Sequence, residues 1–341
     1  MGSGIGARRR LGRFGPEISR VGFGAWAAGG AGWVFSLGHQ DDASSIAAIH
    51  QAVAAGVNWI DTAAVYGCGH SEEVVGRALR QLPPSERPLV FTKCGLQCQS
   101  DPHRTPRRDL RPSSIRAELE DSLRRLGQDH IDLYQFHWPD RGGVPIEESW
   151  GEMSRLIAAG KVRFCGLSNF SVEEATRAAA IRPVDSLQPP FSLIERGAGW
   201  ELLPWAESQG CGVIVYSPLQ SGLLSGAHDR AGRSRLGADD LRRRDRHHVE
   251  PDYSRNLALV EALIPIAQGL GTNLAKLAVA WTLAWPGVTA AIVGARSPDQ
   301  VDGWVEAPEL VLDDAVMEQI ARAVSESGSG EGPLLPPGRA A

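Results

Sequence analysis

Short runs of hydrophobic residues recur along the chain, and a longer amphipathic segment follows most of them. The short runs are nearly continuous rather than alternating, which is typical of strands buried on both faces of a parallel sheet. The amphipathic segments, such as Ala43–Ala55, Pro112–Leu126 and Glu147–Ala159, have the spacing of helices. The predicted strands are Ser19–Gly24, Val57–Asp61, Leu89–Lys93, Ile131–His137, Val162–Ser168, Ser186–Gln188, Gly212–Tyr216 and Ala290–Val293.

Strands that alternate with helices in this way predict an α/β fold, and their number favours a closed (β/α)8 TIM barrel. A doubly wound open sheet is the alternative, but no GxGxxG follows the first strand. Phe14-Gly15-Pro16 predicts a small N-terminal β-hairpin. A long polar loop, Ser225–Tyr253, is expected after the seventh strand, and its charge run LRRRDRHHVE is typical of a solvated surface.

The domain organisation follows from the same pattern. We expect residues 1–326 to form a single barrel domain, and residues 327–341, which are rich in Gly and Pro, to form a disordered tail. The chain has no apolar run that could span a bilayer and no apolar segment after its basic N-terminus, so we expect a cytoplasmic protein. The sequence does not reveal the oligomeric state.

The net charge limits the possible binding partners, and the cysteine content indicates the redox state of the thiols. The formal net charge of -5 argues against nucleic acid or an anionic membrane as the main partner. The five cysteines are scattered and odd in number, which indicates reduced thiols rather than a disulfide framework. Cys94, Cys98 and His103 form a loose group, but their spacing is not a zinc signature, so no metal is expected.

Ionisable side chains of four types follow neighbouring predicted strands. Asp61 ends the second strand, Tyr66 lies in the loop after it, Lys93 ends the third strand and His137 ends the fourth. The carboxyl ends of barrel strands carry the chemistry in such folds. A lysine at the end of a buried strand needs a partner, and Asp61 is the natural candidate. A lone histidine would more simply be a core residue, but here His137 shares a rim with three other groups.

These groups have the chemistry of a general acid. A phenol has a pKa of about 10 and is a weak acid near neutrality, and a cationic Lys93 beside Tyr66 would lower that pKa. Asp61 would keep Lys93 charged, and His137 could bond to the substrate oxygen or share the proton. The group would then face a carbonyl oxygen. No side chain donates hydride, so a nicotinamide cofactor would have to supply it.

Six segments of the chain, taken in order, resemble the aldo-keto reductase superfamily from about Leu11 to about Val324. The resemblance implies an (α/β)8 barrel, NADPH bound in an extended form, and a catalytic tetrad of Asp61, Tyr66, Lys93 and His137. The segments are NWIDTAAVYGCGHSEEVVGRAL, LVFTKCG, SLRRLGQDHIDLYQFHWPD, GKVRFCGLSNF, GVIVYSPLQSGLL and AAIVGARSPDQV.

The resemblance also implies where the cofactor binds. Three polar side chains would hold the nicotinamide carboxamide, an aromatic ring would stack on the nicotinamide, one loop would follow the pyrophosphate, and Arg296 would pair with a 2′-phosphate. Relatives often carry an acidic residue and an Asn where this chain has Gly303-Trp304, which leaves the preference for NADPH over NADH open. The implied positions are Ser168, Asn169, Gln188, Tyr216, Ser217, Pro218, Leu219, Ser221, Gly222, Gly294, Arg296 and Gln300.

Aromatic residues near the rim predict the substrate pocket, which we expect Trp26, Trp33 and Trp138 to line. Trp33 lies in a glycine-rich loop, GGAGWVFSLG, that could close as a lid. The predicted function is reduction of an aldehyde or ketone, such as a keto-sugar or another small carbonyl compound, by NADPH or NADH. The alternatives are an NAD(P)+-dependent sugar or alcohol dehydrogenase and an NADPH-sensing regulatory protein. A metal-dependent barrel hydrolase is disfavoured because the first strand, VGFGAW, offers no ligand.

Overall fold

The computed structural model describes residues 8–101, 103–227 and 236–338. A closed barrel of eight parallel strands forms its centre, in the order β3-β4-β5-β8-β9-β10-β11-β12, with β12 paired to β3. The strands are β1 (Arg9–Arg10), β2 (Glu17–Ile18), β3 (Val21–Gly24), β4 (Trp59–Asp61), β5 (Leu89–Cys94), β6 (Leu96–Cys98), β7 (Pro106–Arg108), β8 (Ile131–Phe136), β9 (Val162–Ser168), β10 (Ser186–Gln188), β11 (Gly212–Val215) and β12 (Ala290–Gly294).

Helices surround the barrel and cover the outer faces of its strands. Their starts follow ordinary capping chemistry: the Asp41 side chain accepts from the amide of Ser44, and Ser171 and Glu174 form a capping box. The helices are α1 (Asp42–Ala54), α2 (His70–Gln81), α3 (Pro112–Leu126), α4 (Ile146–Ala158), α5 (Val172–Ala179), α6 (Leu202–Gln209), α7 (Asp252–Gly269), α8 (Leu274–Leu283), α9 (Pro298–Asp302) and α10 (Asp314–Ser327). Short 3-10 turns include Ala27–Gly29, Tyr66–Gly69, Gln220–Ser225, Leu241–Arg243 and Arg246–His248.

The predicted barrel is confirmed, and each of the eight predicted strands is present with ends shifted by a few residues at most. The predicted hairpin is also confirmed, because β1 and β2 pair antiparallel. No single helix in the described part of the chain is long and apolar enough to cross a membrane. The pair α7 and α8 passes that test only when taken together, and it is bent by 91°.

Strand alternation determines what lies inside the barrel. Side chains two residues apart on a strand point to the same face. On three adjacent strands, the side chain that points into the barrel near the end of the strand is polar: Asp61 on β4, Lys93 on β5 and Gln135 on β8. Each lies two residues after an apolar side chain that points to the same side. The apolar layer below them contains Trp59, Phe91, Leu133, Ile214 and Ile292.

Part of the C-terminal segment, for which a disordered tail is predicted, contacts the segment that follows β10. Residues 328–338 run along the barrel, and 339–341 lie outside the described residues. The guanidinium of buried Arg196 donates to the carbonyl of Ser329, and the amide of Arg196 donates to the carbonyl of Glu331 at 2.9 Å. The segment thus supplies acceptors to a buried arginine, whose guanidinium also donates to the carbonyl of Leu193.

The loop after β11 is less solvated than its charge run suggests. His247 and His248 are buried, and His247 Nε2 lies 2.9 Å from a carboxylate oxygen of Glu195. The amide of Leu241 donates to the carbonyl of Ser36 at 2.8 Å. Residues 228–235 of the predicted loop lie outside the described residues. Leu241 thus contacts the loop between β3 and α1 (residues 25–41, the first rim loop), and His247 contacts the segment after β10.

The expectation of reduced cysteines is wrong for two of the five. Cys68 and Cys98 form a disulfide that joins Cα atoms 5.7 Å apart and 30 residues apart in sequence. Cys94, Cys165 and Cys211 are free and buried. The pair could form because the loops after the neighbouring strands β4 and β5 meet at one rim, which only the closed barrel brings about.

Candidate active site

The centre of the site is a buried ion pair that reaches a phenol. Lys93 Nζ donates to Asp61 Oδ1 at 2.5 Å, to the Thr62 carbonyl at 2.9 Å and to the Tyr66 hydroxyl at 3.3 Å. Lys93 is 1% exposed and Asp61 is 3% exposed, so water does not compete for these contacts. All three hydrogen bonds that an ammonium can donate are therefore used, and one of them orients Tyr66.

Two glutamines complete the surroundings of Asp61. Gln188 Nε2 donates to Asp61 Oδ2 at 2.9 Å, and Gln135 Nε2 lies 3.5 Å from the same oxygen. Gln188 was expected to hold the nicotinamide carboxamide, whereas here its amide is committed to Asp61. Gln135 was not predicted, although it lies on β8 two residues before His137, which directly follows the strand, and that spacing favours the same face for both.

Desolvation acts on all four groups, of which Asp61 and Lys93 are buried and Tyr66 and His137 are half-buried. Burial raises the pKa of Asp61 and lowers the pKa of Lys93, while their mutual contact acts in the opposite direction on both. Burial, followed by the Asp61 charge, raises the pKa of Tyr66 well above its usual value. Burial, followed by the Lys93 charge, lowers the pKa of His137 well below its usual value.

The expectation that Lys93 lowers the pKa of Tyr66 is therefore wrong for this state of the protein. The Lys93 ammonium is paired with Asp61, and desolvation of the phenol is the largest cause of its pKa shift, ahead of the Asp61 charge. The result is a neutral phenol and a neutral imidazole around neutral pH. A neutral phenol is the form that can donate a proton.

His137 lies beside the phenol. Its ring centroid is 5.6 Å from that of Tyr66, in an edge-to-face arrangement. Its carbonyl accepts from Asn169 Nδ2 at 2.9 Å, and Asn169 Oδ1 accepts from the Tyr216 hydroxyl at 2.8 Å. Tyr216, Asn169 and His137 therefore form a connected chain from the end of β11 to the end of β8.

The other predicted cofactor positions cluster at the same rim. Ser168 Oγ donates to the carbonyl of Gln188 at 2.9 Å. The segment from Ser217 to Gly222 forms a tight turn in which Ser217, Ser221 and Gly222 all have positive φ angles of 57°, 51° and 96°. Pro218 and Leu219 lie inside that turn. A backbone folded this tightly can direct several N–H groups toward one anion.

The last group of predicted positions lies after β12. Gly294 is exposed, and a Cβ atom placed there would meet only the Gly24 carbonyl, at 3.4 Å, which leaves room for a ligand above it. Gln300 Oε1 accepts from the Arg296 amide at 2.8 Å. These two features fit a dinucleotide that passes close to the backbone here.

Arg296 has protein partners that sequence reasoning did not foresee. Its guanidinium donates to Gln40 Oε1 at 2.7 Å, to the Leu37 carbonyl at 3.3 Å and to the His39 carbonyl. These acceptors are neutral and use three of the five N–H groups of the guanidinium. The charge of Arg296 thus stays available to an anion, and the first rim loop fixes its orientation.

Aromatic side chains surround Tyr66. Trp33 is buried, and its ring centroid lies 6.1 Å from that of Tyr66. Trp26 and Trp138 pack against the same small cluster. The Trp33 and Tyr66 rings are therefore neighbours, and the other two tryptophans expected to line the substrate pocket pack on the cluster that contains Trp33.

Trp304 and the loose cysteine–histidine group of the sequence also have defined surroundings in the structure. Trp304 is 1% exposed and belongs to the main core, so it covers the barrel rather than facing an adenine. Among the residues that the structure describes, no group of three His, Cys, Asp or Glu side chains could hold a metal ion. Cys98, which belonged to the loose group seen in the sequence, is bonded to Cys68.

Comparison with known proteins places the chain among oxidoreductases. It is 38% identical to the aldo-keto reductase YhdN of Bacillus subtilis over 86% of each chain. It is 33% identical to the NADH-specific methylglyoxal reductase of Escherichia coli, over 90% of this chain and 96% of that protein. The structure of the glycerol dehydrogenase AKR11B4 from Gluconobacter oxydans superposes with a TM-score of 0.84, at 37% identity and 98% coverage of both chains.

The family assignment rests on nearly the whole length. The Aldo/keto reductase family model matches residues 20–325. This range includes all eight barrel strands and the four side chains of the site: Asp61, Tyr66, Lys93 and His137. The barrel, the buried ion pair and the relatives agree, and this chain belongs to the aldo/keto reductase family.

Proposed function

We propose that this protein is an NADPH-dependent carbonyl reductase that converts an aldehyde or ketone to an alcohol, with Tyr66 as the proton donor. The observation that carries the proposal is the hydrogen bond from Lys93 Nζ to the Tyr66 hydroxyl, backed by the buried Asp61. A phenol held in this way at an aromatic-lined rim fits a carbonyl oxygen better than any other group in the site.

Each of the four residues has a distinct role in this proposal. Tyr66 donates its proton as negative charge develops on the substrate oxygen, and Lys93 then stabilises the phenolate. Asp61 keeps Lys93 charged and in place. Neutral His137 contacts the same oxygen and fixes the orientation of the carbonyl group.

The residues fit a nicotinamide dinucleotide, which would supply the hydride when bound. Ser168 and Asn169 would hold its carboxamide, Tyr216 would pack on the ring, and the Ser217–Gly222 turn would receive the pyrophosphate. Arg296 would face a 2′-phosphate, because its held guanidinium suits phosphate oxygens. Gln188 Nε2 supports Asp61, and its Oε1 would accept a hydrogen bond from the carboxamide nitrogen.

The substrate class we propose is a small carbonyl compound, such as a short aldehyde, ketone or keto-sugar. We place the substrate next to Tyr66, which belongs with Trp26, Trp33 and Trp138 to one small hydrophobic cluster. Two relatives are named for three-carbon polar compounds, methylglyoxal and glycerol. We further propose that the enzyme acts in the cytoplasm.

The proton-donor role is tested by replacing Tyr66 with Phe. We expect Tyr66→Phe to lower kcat by about 10²–10⁴-fold, the usual contribution of a positioned acid, and to leave the Kd for NADPH within about twofold. The measurement is NADPH consumption across a panel of aldehydes, ketones and keto-sugars, with cofactor binding measured by fluorescence. Tyr134→Phe is the matched control, since Tyr134 is a buried tyrosine of β8 outside the rim. A Tyr66→Phe enzyme that keeps a tenth or more of the wild-type kcat would rule out the role.

The cofactor preference is tested at Arg296. We expect Arg296→Ala to weaken NADPH binding by about 10–100-fold and NADH binding by much less, because only NADPH carries the 2′-phosphate. Arg322→Ala serves as the control, because it removes the charge of an exposed arginine on α10 that has no assigned role in the site. Equal losses for the two cofactors would show that Arg296 does not bind the 2′-phosphate, and NADH would then be the better candidate, as in the Escherichia coli relative.

The reverse direction is the second candidate, and the similarity to a glycerol dehydrogenase favours it. The same residues serve oxidation, with the Tyr66 phenolate taking the proton from an alcohol. Because burial raises the Tyr66 pKa, oxidation should accelerate with rising pH, whereas reduction should stay level from about pH 7 to pH 9. Initial rates in both directions across that range identify the favoured one.

A further inference from the structure

We propose that Cys68–Cys98 is a thiol–disulfide exchange site, open to small thiols such as glutathione, whose redox state sets the shape of the substrate pocket. The bond joins the loop that carries Tyr66 to the hairpin that follows β5. The proposal rests on the proposed function, because that function makes Tyr66 the proton donor.

The disulfide lies in the wall of the site. Both sulfur-bearing residues pack against the small cluster of Trp33, Ala63, Val65 and Leu96, on which Tyr66 and Trp138 also pack. Cys98 Sγ is 3.8 Å from the Val65 carbonyl, one residue before Tyr66. A change at this bond is therefore felt within the pocket and not at a remote surface.

The turn after Tyr66 has an unfavourable backbone that needs support. Gly67, Cys68 and Gly69 all have positive φ angles of 59°, 57° and 101°. Glycine adopts such angles readily, whereas the Cβ atom of Cys68 makes this conformation unfavourable for it. On the other side the turn is closely packed, since a Cβ atom on Gly67 would lie 2.1 Å from the Gly29 carbonyl. The first rim loop and the disulfide thus hold the Tyr66 turn from opposite sides.

At the hairpin end of the disulfide, Cys98 is connected through the β6–β7 hairpin to Trp138. In the hairpin, β6 pairs with β7, which ends at Arg108. The Arg108 guanidinium lies 5.1 Å from the centroid of the Trp138 ring and donates to the Pro139 carbonyl at 3.3 Å. The disulfide therefore links the turn of the proton donor to the segment that positions Trp138.

The remaining cysteines give an internal contrast in reactivity. Cys94, Cys165 and Cys211 are buried, and burial raises the pKa of each thiol, to about 12 for Cys165. Buried thiols of high pKa react slowly. Cys68 and Cys98 are the two cysteines of the chain that are partly exposed. A small thiol can thus reach this pair and leave the other three untouched.

The exchange needs no oxidant or reductant beyond the small thiol pair. For reduction, a glutathione thiolate attacks one sulfur, the Cys68–Cys98 bond breaks, and the other cysteine leaves as a thiolate that takes a proton. A second glutathione then displaces the protein sulfur from the mixed disulfide, which gives two cysteine thiols and one glutathione disulfide. Oxidation is the reverse, in which glutathione disulfide accepts the two electrons.

Reduction should act on substrate handling rather than on the cofactor. Freed from Cys98, the Tyr66 turn can leave its strained backbone, and the hairpin can shift Trp138. The proposed cofactor contacts at Asn169, Tyr216 and Arg296 lie on other loops. We therefore expect kcat/KM for the carbonyl substrate to fall by roughly tenfold on reduction, since small displacements of a reacting group cost up to 10²-fold, while cofactor affinity is unchanged.

The experiment equilibrates the full-length protein in glutathione buffers of graded redox ratio. Alkylation and mass spectrometry then report the fraction of Cys68 and Cys98 that is bonded, and this readout does not depend on activity. Hydrogen–deuterium exchange of peptides covering residues 62–70 and 95–99 reports the local backbone. Steady-state kinetics and the Kd for NADPH are measured on the fully oxidised and fully reduced samples.

The supporting result is a bond that titrates with the glutathione ratio, faster exchange in those two peptides on reduction, and a lower kcat/KM at constant cofactor affinity. The double variant Cys68→Ser/Cys98→Ser should match the reduced wild type in every buffer, and Cys211→Ala should respond as the wild type does. The proposal is overturned if no bond forms in glutathione disulfide, if both states have equal exchange and kinetics, or if cofactor binding and thermal stability fall together. If neither state reduces any carbonyl compound, the proposed function fails, and the exchange data still decide whether the redox site exists.

Discussion

Adjacent residues on one strand, Thr92 and Lys93 of β5, lead to opposite sides of the barrel wall and to two buried polar clusters. On the inner side, Lys93 contacts Asp61 and Tyr66. On the outer side, the Thr92 hydroxyl donates to Glu72 Oε1 at 2.6 Å, and Arg125 Nε donates to Glu72 Oε2 at 2.7 Å. Both clusters contain a buried carboxylate and a basic side chain, but they differ in what they leave available.

The outer cluster is closed. Each carboxylate oxygen of Glu72 accepts a hydrogen bond from a side chain of the packed scaffold, and Glu72 is fully buried. The inner cluster is open at one end, because its chain of hydrogen bonds reaches a phenol that faces the rim, with His137 beside it. A closed cluster joins a helix to a strand, whereas an open one can pass a proton to a ligand.

The largest expected effect comes from removing the inner charge pair as a unit. In Asp61→Asn/Lys93→Met we expect kcat to fall by at least about 10³-fold, because nothing then stabilises the Tyr66 phenolate. The free energy of unfolding should change by only about 1–2 kcal/mol, since replacing both members of a buried pair avoids leaving a lone charge. Turnover numbers and urea unfolding curves measure the two effects. A large loss of stability with little loss of turnover would show that the inner pair stabilises the fold and does not support catalysis.

The next largest effect is expected at Glu118. It tests how the free energy of unfolding depends on pH through a buried carboxyl on the outer side of the barrel. This buried carboxyl of α3 accepts from the amide of Gly95 at 3.1 Å, and burial, opposed by that bond, raises its pKa to about 7. The folded protein thus holds a proton that the unfolded chain releases at about pH 4.3. Stability contributed by this group is present below about pH 4.3 and is lost as the pH rises through about 7.

We therefore expect Glu118→Gln to be more stable than the wild type at pH 8, by up to about 3 kcal/mol, and to differ little at pH 4. Denaturant unfolding of both proteins at pH 4, 6 and 8 measures this difference. A stability gap between variant and wild type that stays constant across the three pH values would show that Glu118 does not titrate in this range.

The smallest effect is expected at Thr92. It tests whether Thr92 and its neighbour Lys93, on opposite faces of β5, act independently. Thr92→Val keeps the shape of the side chain and removes the hydroxyl that Glu72 needs. We expect the free energy of unfolding to fall by about 1–3 kcal/mol, because a buried carboxylate oxygen loses its donor, and kcat to stay within about twofold. Kinetics are measured well below the melting temperature. A substantial loss of kcat in a folded Thr92→Val protein would mean that the two sides of β5 are coupled.

The sequence by itself determined the barrel and most of the residues at its rim. Buried parallel strands require nearly continuous apolar runs. Eight such runs separated by helices could therefore be recognised from the sequence alone. The position of Asp61, Lys93 and His137 at the ends of three strands was legible for the same reason, because parallel strands bring their carboxyl ends to one edge. Strand alternation could also have revealed Gln135, two residues before His137.

Only the tertiary structure decided the contacts between loops that are distant in sequence. The Cys68–Cys98 bond, the contacts of Arg296 with Gln40 and neighbouring carbonyls, and the packing of Ser329 on Arg196 each depend on loop paths that no local periodicity encodes. The raised pKa of Tyr66 was missed for a related reason. A spacing of residues identifies a charged neighbour, but desolvation depends on how completely the surrounding chain excludes water, and that follows only from the packed fold.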